Sequence, residues 1–204
     1  LRGALPGAAA FLVLLGGCVY YNAIYNAERA FEEAEAHWSV GHDSLAELRY
    51  QEVVRKASAG FRKEPRGSWA DEALYLLGRA RLRQGDLRGA ESALQEARAL
   101  TESPEIRHGA QVYLGAVAIA RGEPQRGLEL LNDAMAELGE GPALAEGHLW
   151  RARILMRADR PGAAWWDLDR AGALHGPVRV PAALERIVWG VRHGNPKRTR
   201  EGVE

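Results

Sequence analysis

The feature that most restricts the fold is a spacing of 37 residues that recurs through the middle of the chain. It separates Gly78, Gly115 and Ala152, each midway along an apolar, alanine-rich stretch. The same step joins Gly85, Gly122 and Asp159, then Ala90, Gly127 and Ala164. It also joins Leu94, Leu131 and Leu168, then Ala97, Ala134 and Ala171. A unit this short cannot bury its apolar face alone, so the copies must stack on one another. Ala, Leu, Arg and Glu dominate the composition and β-branched residues are sparse, which favours helices over strands. The expected fold class is all-α.

Each copy reads as helix, tight turn, helix. The first spans Asp71–Arg83, turns at Gly85-Asp86 and continues over Leu87–Leu100. The second spans Arg107–Ala120, turns at Gly122-Glu123-Pro124 and runs to about Leu138. The third spans Ala145–Ala158, turns at Asp159-Arg160-Pro161 and runs to about Leu174. Leu74, Leu77 and Leu82 share one face at helical spacing, and Leu87, Ala90, Leu94 and Ala97 share the facing one. The small residues Gly78 and Ala90 are expected where the two helices cross closely, with Leu94 filling the space between neighbouring pairs. Breakers at Ser103-Pro104, Gly139 to Pro142 and Gly176-Pro177 separate the copies. An irregular unit precedes them: a helix from about Asn22 to Val40, a turn at Gly41-His42-Asp43, and a second helix running past Lys56. After them, Pro181–Arg192 reads as another first helix. A second helix from Lys197 is cut short at Glu204, which leaves an apolar face uncovered.

These columns resemble the tetratricopeptide repeat, whose signature is W-x2-L-G-x2-Y, then A-x3-F, then A and P. Leu74, Leu77-Gly78, Ala90, Leu94 and Ala97 match it in the first copy. The second keeps Leu114-Gly115, Leu131 and Ala134 but has Gly127 for the Ala. The third keeps Ala164, Leu168 and Ala171 but has Ala152 for the Gly. The resemblance implies a right-handed α-solenoid whose first helices line a concave, protein-binding groove. Mapped onto this chain, that face holds Tyr75, Arg79 and Arg83, then Val112, Ala116, Ile119 and Ala120. Leu149, Arg153, Met156 and Arg157 follow, and the last helix adds Arg186. Such a groove, basic at its flanks and apolar in the middle, suits an extended peptide with acidic ends and apolar anchors. The competing reading makes these arginines a solvated helix face whose stems cover the core.

Residues 1–17 have the layout of a secretory signal, with Arg2, the apolar run Ala8–Leu15 and two small residues. The run is shorter than the roughly 20 apolar residues that span a bilayer as a helix. Leu15-Gly16-Gly17-Cys18 resembles the lipobox of bacterial lipoproteins, which implies acylation of Cys18 and cleavage just before it. Val19 in place of Asp is similar to the pattern of lipoproteins sorted to the outer membrane. The chain begins with Leu, so it reads as a fragment at this end. The expected organisation is a signal at 1–17, an anchor and irregular repeat at 18–64, three repeats at 65–180 and a truncated partial repeat at 181–204. A lipobox followed by helical repeats resembles the tetratricopeptide lipoprotein of the outer-membrane β-barrel assembly machinery. That resemblance implies a bacterial cell-envelope protein facing the periplasm.

The residues supply little chemistry. One Cys excludes an internal disulfide framework, and 27 basic against 27 acidic side chains leave no net field to attract nucleic acid. None of the six His residues pairs at i, i+4, and no phosphate loop or nucleophile elbow occurs. Neither a metal, a cofactor nor catalysis is expected. Asp167 and Asp169 point apart on a helix and are expected on a solvated face beside Arg170. Of the adjacent pair Trp165 and Trp166, one is expected in the core and one at the surface, while Trp150 and Trp189 are expected inside. Two readings compete: a lipid-anchored adaptor that binds a protein segment, and the substrate-recruiting repeats of a longer enzyme. Oligomeric state and the partner's identity are open at this level.

Overall fold

The computed structural model describes residues 20–195 together with Lys197 and Arg200. Among them are nine α-helices and no strand, stacked as consecutive hairpins in an all-α solenoid. A short π-helical stretch, Tyr20–Tyr25, leads into α1 (Asn26–Ser39), which pairs with α2 (Asp43–Lys63). Three hairpins follow: α3 (Ala70–Arg83) with α4 (Leu87–Leu100), α5 (Pro104–Ala120) with α6 (Pro124–Glu137), and α7 (Pro142–Arg157) with α8 (Pro161–Ala173). The last helix, α9 (Arg179–Arg192), packs on α8 and also reaches α1. Cys18 and the apolar run before it lie outside the described residues.

Local chemistry explains the boundaries. Pro104, Pro124, Pro142 and Pro161 each open a helix, where the missing N–H costs nothing and the fixed φ suits the first turn. The Asp86 carboxylate caps α4 by accepting from the Gly89 N–H, and the Ser103 hydroxyl caps α5 by accepting from Ile106. The column Gly85, Gly122 and Asp159 sits at the reversals with φ of 77°, 84° and 52°. Glycine reaches this left-handed region freely, and aspartate is among the few side chains that tolerate it.

The column Gly78 and Gly115 marks the closest helix crossings. A Cβ on Gly78 would stand 2.5 Å from Leu94 Cγ, and one on Gly115 would stand 3.1 Å from the Gly127 carbonyl oxygen. Leu94 therefore seats on Gly78 within its own hairpin, and it also shares a buried cluster with Ala110, Tyr113 and Leu114 of the next pair, as expected from the spacing. Leu94, Leu131 and Leu168 are fully buried. Each contributes about 1.5–3 kcal/mol relative to exposure. Helix α5 is buried without a break from Gly109 to Ile119, as a helix that is apolar nearly all round must be.

Candidate interaction site on the inner face

The odd-numbered helices line the inner face, and Arg83 in the last turn of α3 ties several of them together. Its Nε donates to Glu35 of α1 at 2.9 Å, and its Nη1 donates to Glu146 of α7 at 2.8 Å. Nη2 bridges the second oxygens of both carboxylates, at 3.1 and 2.9 Å. Glu35 also accepts from the Tyr50 hydroxyl of α2, and Glu146 from the Trp150 indole. The guanidinium lies 3.9 Å over the Trp38 ring. One side chain thus joins α1, α2, α3 and α7, which requires the stack to curve tightly.

This network is sealed from water: the Arg83, Glu35 and Glu146 side chains are 7%, 5% and 1% exposed. Burial opposes the charges of Arg83 and Glu146. The paired carboxylates nevertheless hold Arg83 well above its usual pKa, and Arg83 holds the Glu146 carboxyl below the usual range. Burial first, and then Glu35, push the Tyr50 hydroxyl up, so it stays a donor.

Arg79, one turn earlier on α3, has the opposite character. Its guanidinium carbon lies 4.1 Å over Phe31 and 5.1 Å over both Tyr75 and Tyr113. Its Nε is buried and makes no hydrogen bond, and no carboxylate pairs with it among the described residues. Arg79 borders a cavity of about 510 Å³, whose walls include Phe31, Glu35, Leu76, Pro142 and Pro177 and which Glu28 and Glu32 also line. Behind Glu28, burial and then Glu28 itself push the Glu72 carboxyl up to about 7. Cation–π contact over three rings recovers about 0.5–2 kcal/mol each. Burial opposes the charge, but Tyr113, Tyr75 and Glu35 outweigh it and hold Arg79 above its usual pKa. What is left open is the buried Nε beside the cavity, a donor to which an entering acceptor could be matched.

The expected groove residues divide three ways. Tyr75, Arg79 and Arg83 come together as described. Val112 and Leu149 are fully buried, and Ile119 and Met156 are each 5% exposed, so these four mainly pack helices together, with Ile119 alone of them also lining a small cavity. Arg153, Arg157 and Arg186 are peripheral. Arg153 pairs with Glu185 at 2.6 Å, and Arg186 with Asp169 at 3.4 Å. Arg157 is exposed beside a smaller cavity of about 350 Å³ with Ile119, Leu128 and Ile154.

A second buried network was missed by the sequence reading. Asp167 is 1% exposed, which corrects the expected solvated face. It lies 2.7 Å from His148 Nδ1 and accepts twice from Arg151, whose Nη1 also donates to Asn132. Burial raises the Asp167 pKa, but His148 and Arg151 outweigh it and hold the carboxyl below its usual range. The reason for the error is geometric: Asp167 faces α7 while Asp169 does not. Trp165 and Trp166 divide as expected, at 7% and 55% exposure. Trp150 and Trp189 are only half-buried at the edge of the core.

A family model described as a tetratricopeptide repeat-like domain matches residues 4–140, more than half of the chain. The match ends before α7, although the α7–α8 hairpin keeps the same columns. No significant match was found among curated proteins.

Proposed function

The chain belongs to the tetratricopeptide repeat-like domain family, and from that premise we propose that it is a non-enzymatic scaffold holding a protein segment at Arg79. The observation that carries this reading is the buried, unpaired Nε of Arg79 beside the 510 Å³ cavity. An acidic side chain or chain end entering between α1 and α7 would meet the guanidinium and be shielded from water by Phe31 and Leu76. Such charge-assisted hydrogen bonds are the strong ones. Glu28 and Glu32 favour a segment that also carries a basic group, which they would meet. Arg83 already holds two carboxylates and is the structural member of the pair.

Arg79→Met tests this. It removes a side chain that makes no hydrogen bond within the fold and keeps an apolar stem over Phe31, so melting by circular dichroism should shift little. Recovery of protein partners from native membranes should fall at least about tenfold, as loss of a central charged anchor does. Unchanged recovery from the variant would sink the proposal.

We further propose that the scaffold is lipid-anchored through Cys18 at the bacterial cell envelope, at the outer membrane and facing the periplasm. A role in outer-membrane protein assembly is the specific form of this reading. Its support is the sequence Leu15-Gly16-Gly17-Cys18 at the end of an apolar run. Among the described residues, no helix is long and apolar enough to cross a membrane. Ile24 is already fully buried in the first hairpin, so acyl chains on Cys18 would hold that hairpin close to the bilayer. Labelled palmitate should enter the wild-type protein and not Cys18→Ser. A wild-type protein that keeps residues 1–17 and takes up no label would contradict the anchor.

A further inference from the structure

A pair of carboxyls joins α1 to α3 beside the Arg79 cavity. Glu28 lines the cavity on α1, and its side chain is hydrogen-bonded to the Glu72 carboxyl on α3. Glu28 lies one turn before Phe31 and Glu32, and Glu72 lies one and two turns before Leu76 and Arg79. The pair thus stands on the same two helix faces that wall the cavity. Two ionised carboxylates offer only acceptors, so a hydrogen bond between them requires one shared proton.

The surroundings leave that proton in place. Burial acts first on Glu72, then Glu28 facing it from α1, then Asp71 beside it on α3, and all three push the carboxyl up. Helices α2, α4 and α5 also pack on α3, and none of their charges is among those acting on Glu72. The bases of the first hairpin are engaged elsewhere: Arg29 and Arg49 with Glu33, and Lys56 with Glu52. Arg79 keeps its charge throughout the working range, and among the described residues no histidine lines the cavity. The carboxyl pair is therefore the group at this site whose charge changes near neutrality.

Resting on the reading of this cavity as the place that holds a segment, we propose that the Glu28–Glu72 pair makes the hold depend on pH. With its proton the pair carries one negative charge, and without it two. A basic group of the segment takes the proton's place beside Glu28, and the proton leaves to water. Capture therefore strengthens as pH rises through neutrality and weakens in mild acid. Glu72 and Arg79 are seven residues apart on α3, or about 10 Å along the axis. An extended segment covers that distance in about three residues, which sets the spacing between its basic side chain and its acidic anchor.

Glu72→Gln tests this, because an amide N–H donates to Glu28 without a shared proton and does not titrate. The first arm needs no partner. A carboxyl that is protonated more readily in the folded chain withdraws stability as pH rises from the unfolded value near 4 to the folded value of about 7. The melting temperature of Glu72→Gln should therefore gain on that of wild type between about pH 5 and about pH 8. The second arm is recovery of protein partners from native membranes by the full chain. Wild type should recover several-fold less, at most about tenfold, at about pH 6 than at about pH 8. Glu72→Gln should recover the lower amount at both, and Arg79→Met little at either. Three results would overturn the proposal and leave the Arg79 reading standing: a melting difference that ignores pH, equal wild-type recovery at both pH values with Arg79 still required, or a Glu72→Gln chain that keeps the wild-type pH profile. Recovery indifferent to Arg79→Met at both pH values would overturn that reading and this proposal together.

Discussion

Arg83→Met is expected to destabilise the fold by about 3–5 kcal/mol, the cost of leaving buried charge without its partner. The variant strands two carboxylates, Glu35 and Glu146, which are 5% and 1% exposed. Glu146 is held in its charged form by this same arginine and can escape only by taking up a proton. Equilibrium unfolding in urea, followed by circular dichroism, measures the loss. Because Arg83 links α1 to α3 and α7, the first hairpin should also come loose before the rest, and the transition should broaden. Replacing Glu35, Arg83 and Glu146 together by Gln, Met and Gln should recover much of the loss, since the cost lies in unpaired charge. A single-variant loss below about 1 kcal/mol, in the range of an exposed pair, would mean that this network is solvated in solution.

Asp167→Asn carries the second large effect, about 2–4 kcal/mol. It is smaller because the Arg151 side chain is 21% exposed and can turn to water, whereas Arg83 cannot. The pH dependence separates this mechanism from simple loss of packing. The folded state depresses the Asp167 pKa, so the stability it contributes is fully present above the unfolded value near 4. It is lost as pH falls through the lower, folded value. The gap between wild type and Asp167→Asn should therefore be constant from neutral pH down to about 5 and close in more acid solution. A gap that stays constant down to pH 2 would show that the carboxylate charge is not what holds α7 to α8.

The hairpins were legible in the sequence because each column has a local cause. Gly78 and Gly115 mark close crossings, Gly85 and Gly122 mark left-handed turns, and Leu94 and Leu131 fill the crossings they face. The seat of each leucine on its glycine lies within one repeat, so a fixed spacing reveals it. The inner face was legible only in part. Arg79 and Arg83 could be placed on it from the helical register, but their different fates could not. The partners of Arg83 lie 48 and 63 residues away in sequence, and they meet it because the solenoid curves until α1 and α7 converge on α3. Curvature accumulates from small rotations at each interface, and no column records it. The same curvature buries Val112, Ile119, Leu149 and Met156 between helices where an open groove was expected. His148 read as a lone residue because its partner Asp167 stands 19 residues on, across a hairpin. The nearest sequence signal was a charged residue at a position that faces the partner helix.

The two inner arginines also show why burial alone does not mark a functional side chain. Arg83 is satisfied by four hydrogen bonds to carboxylates. Arg79 has aromatic faces around it and an Nε with no acceptor. The first arrangement is complete without a ligand, and the second is not.

The most direct measurement is site-specific photo-crosslinking in native membranes from Ala36, which borders the Arg79 cavity. Leu48, 61% exposed on the outside of α2, serves as the control position. The account predicts a discrete crosslinked partner from position 36, absent from position 48 and lost when Arg79→Met is introduced. Identical products from both positions, or a product from position 36 that survives Arg79→Met, would contradict it.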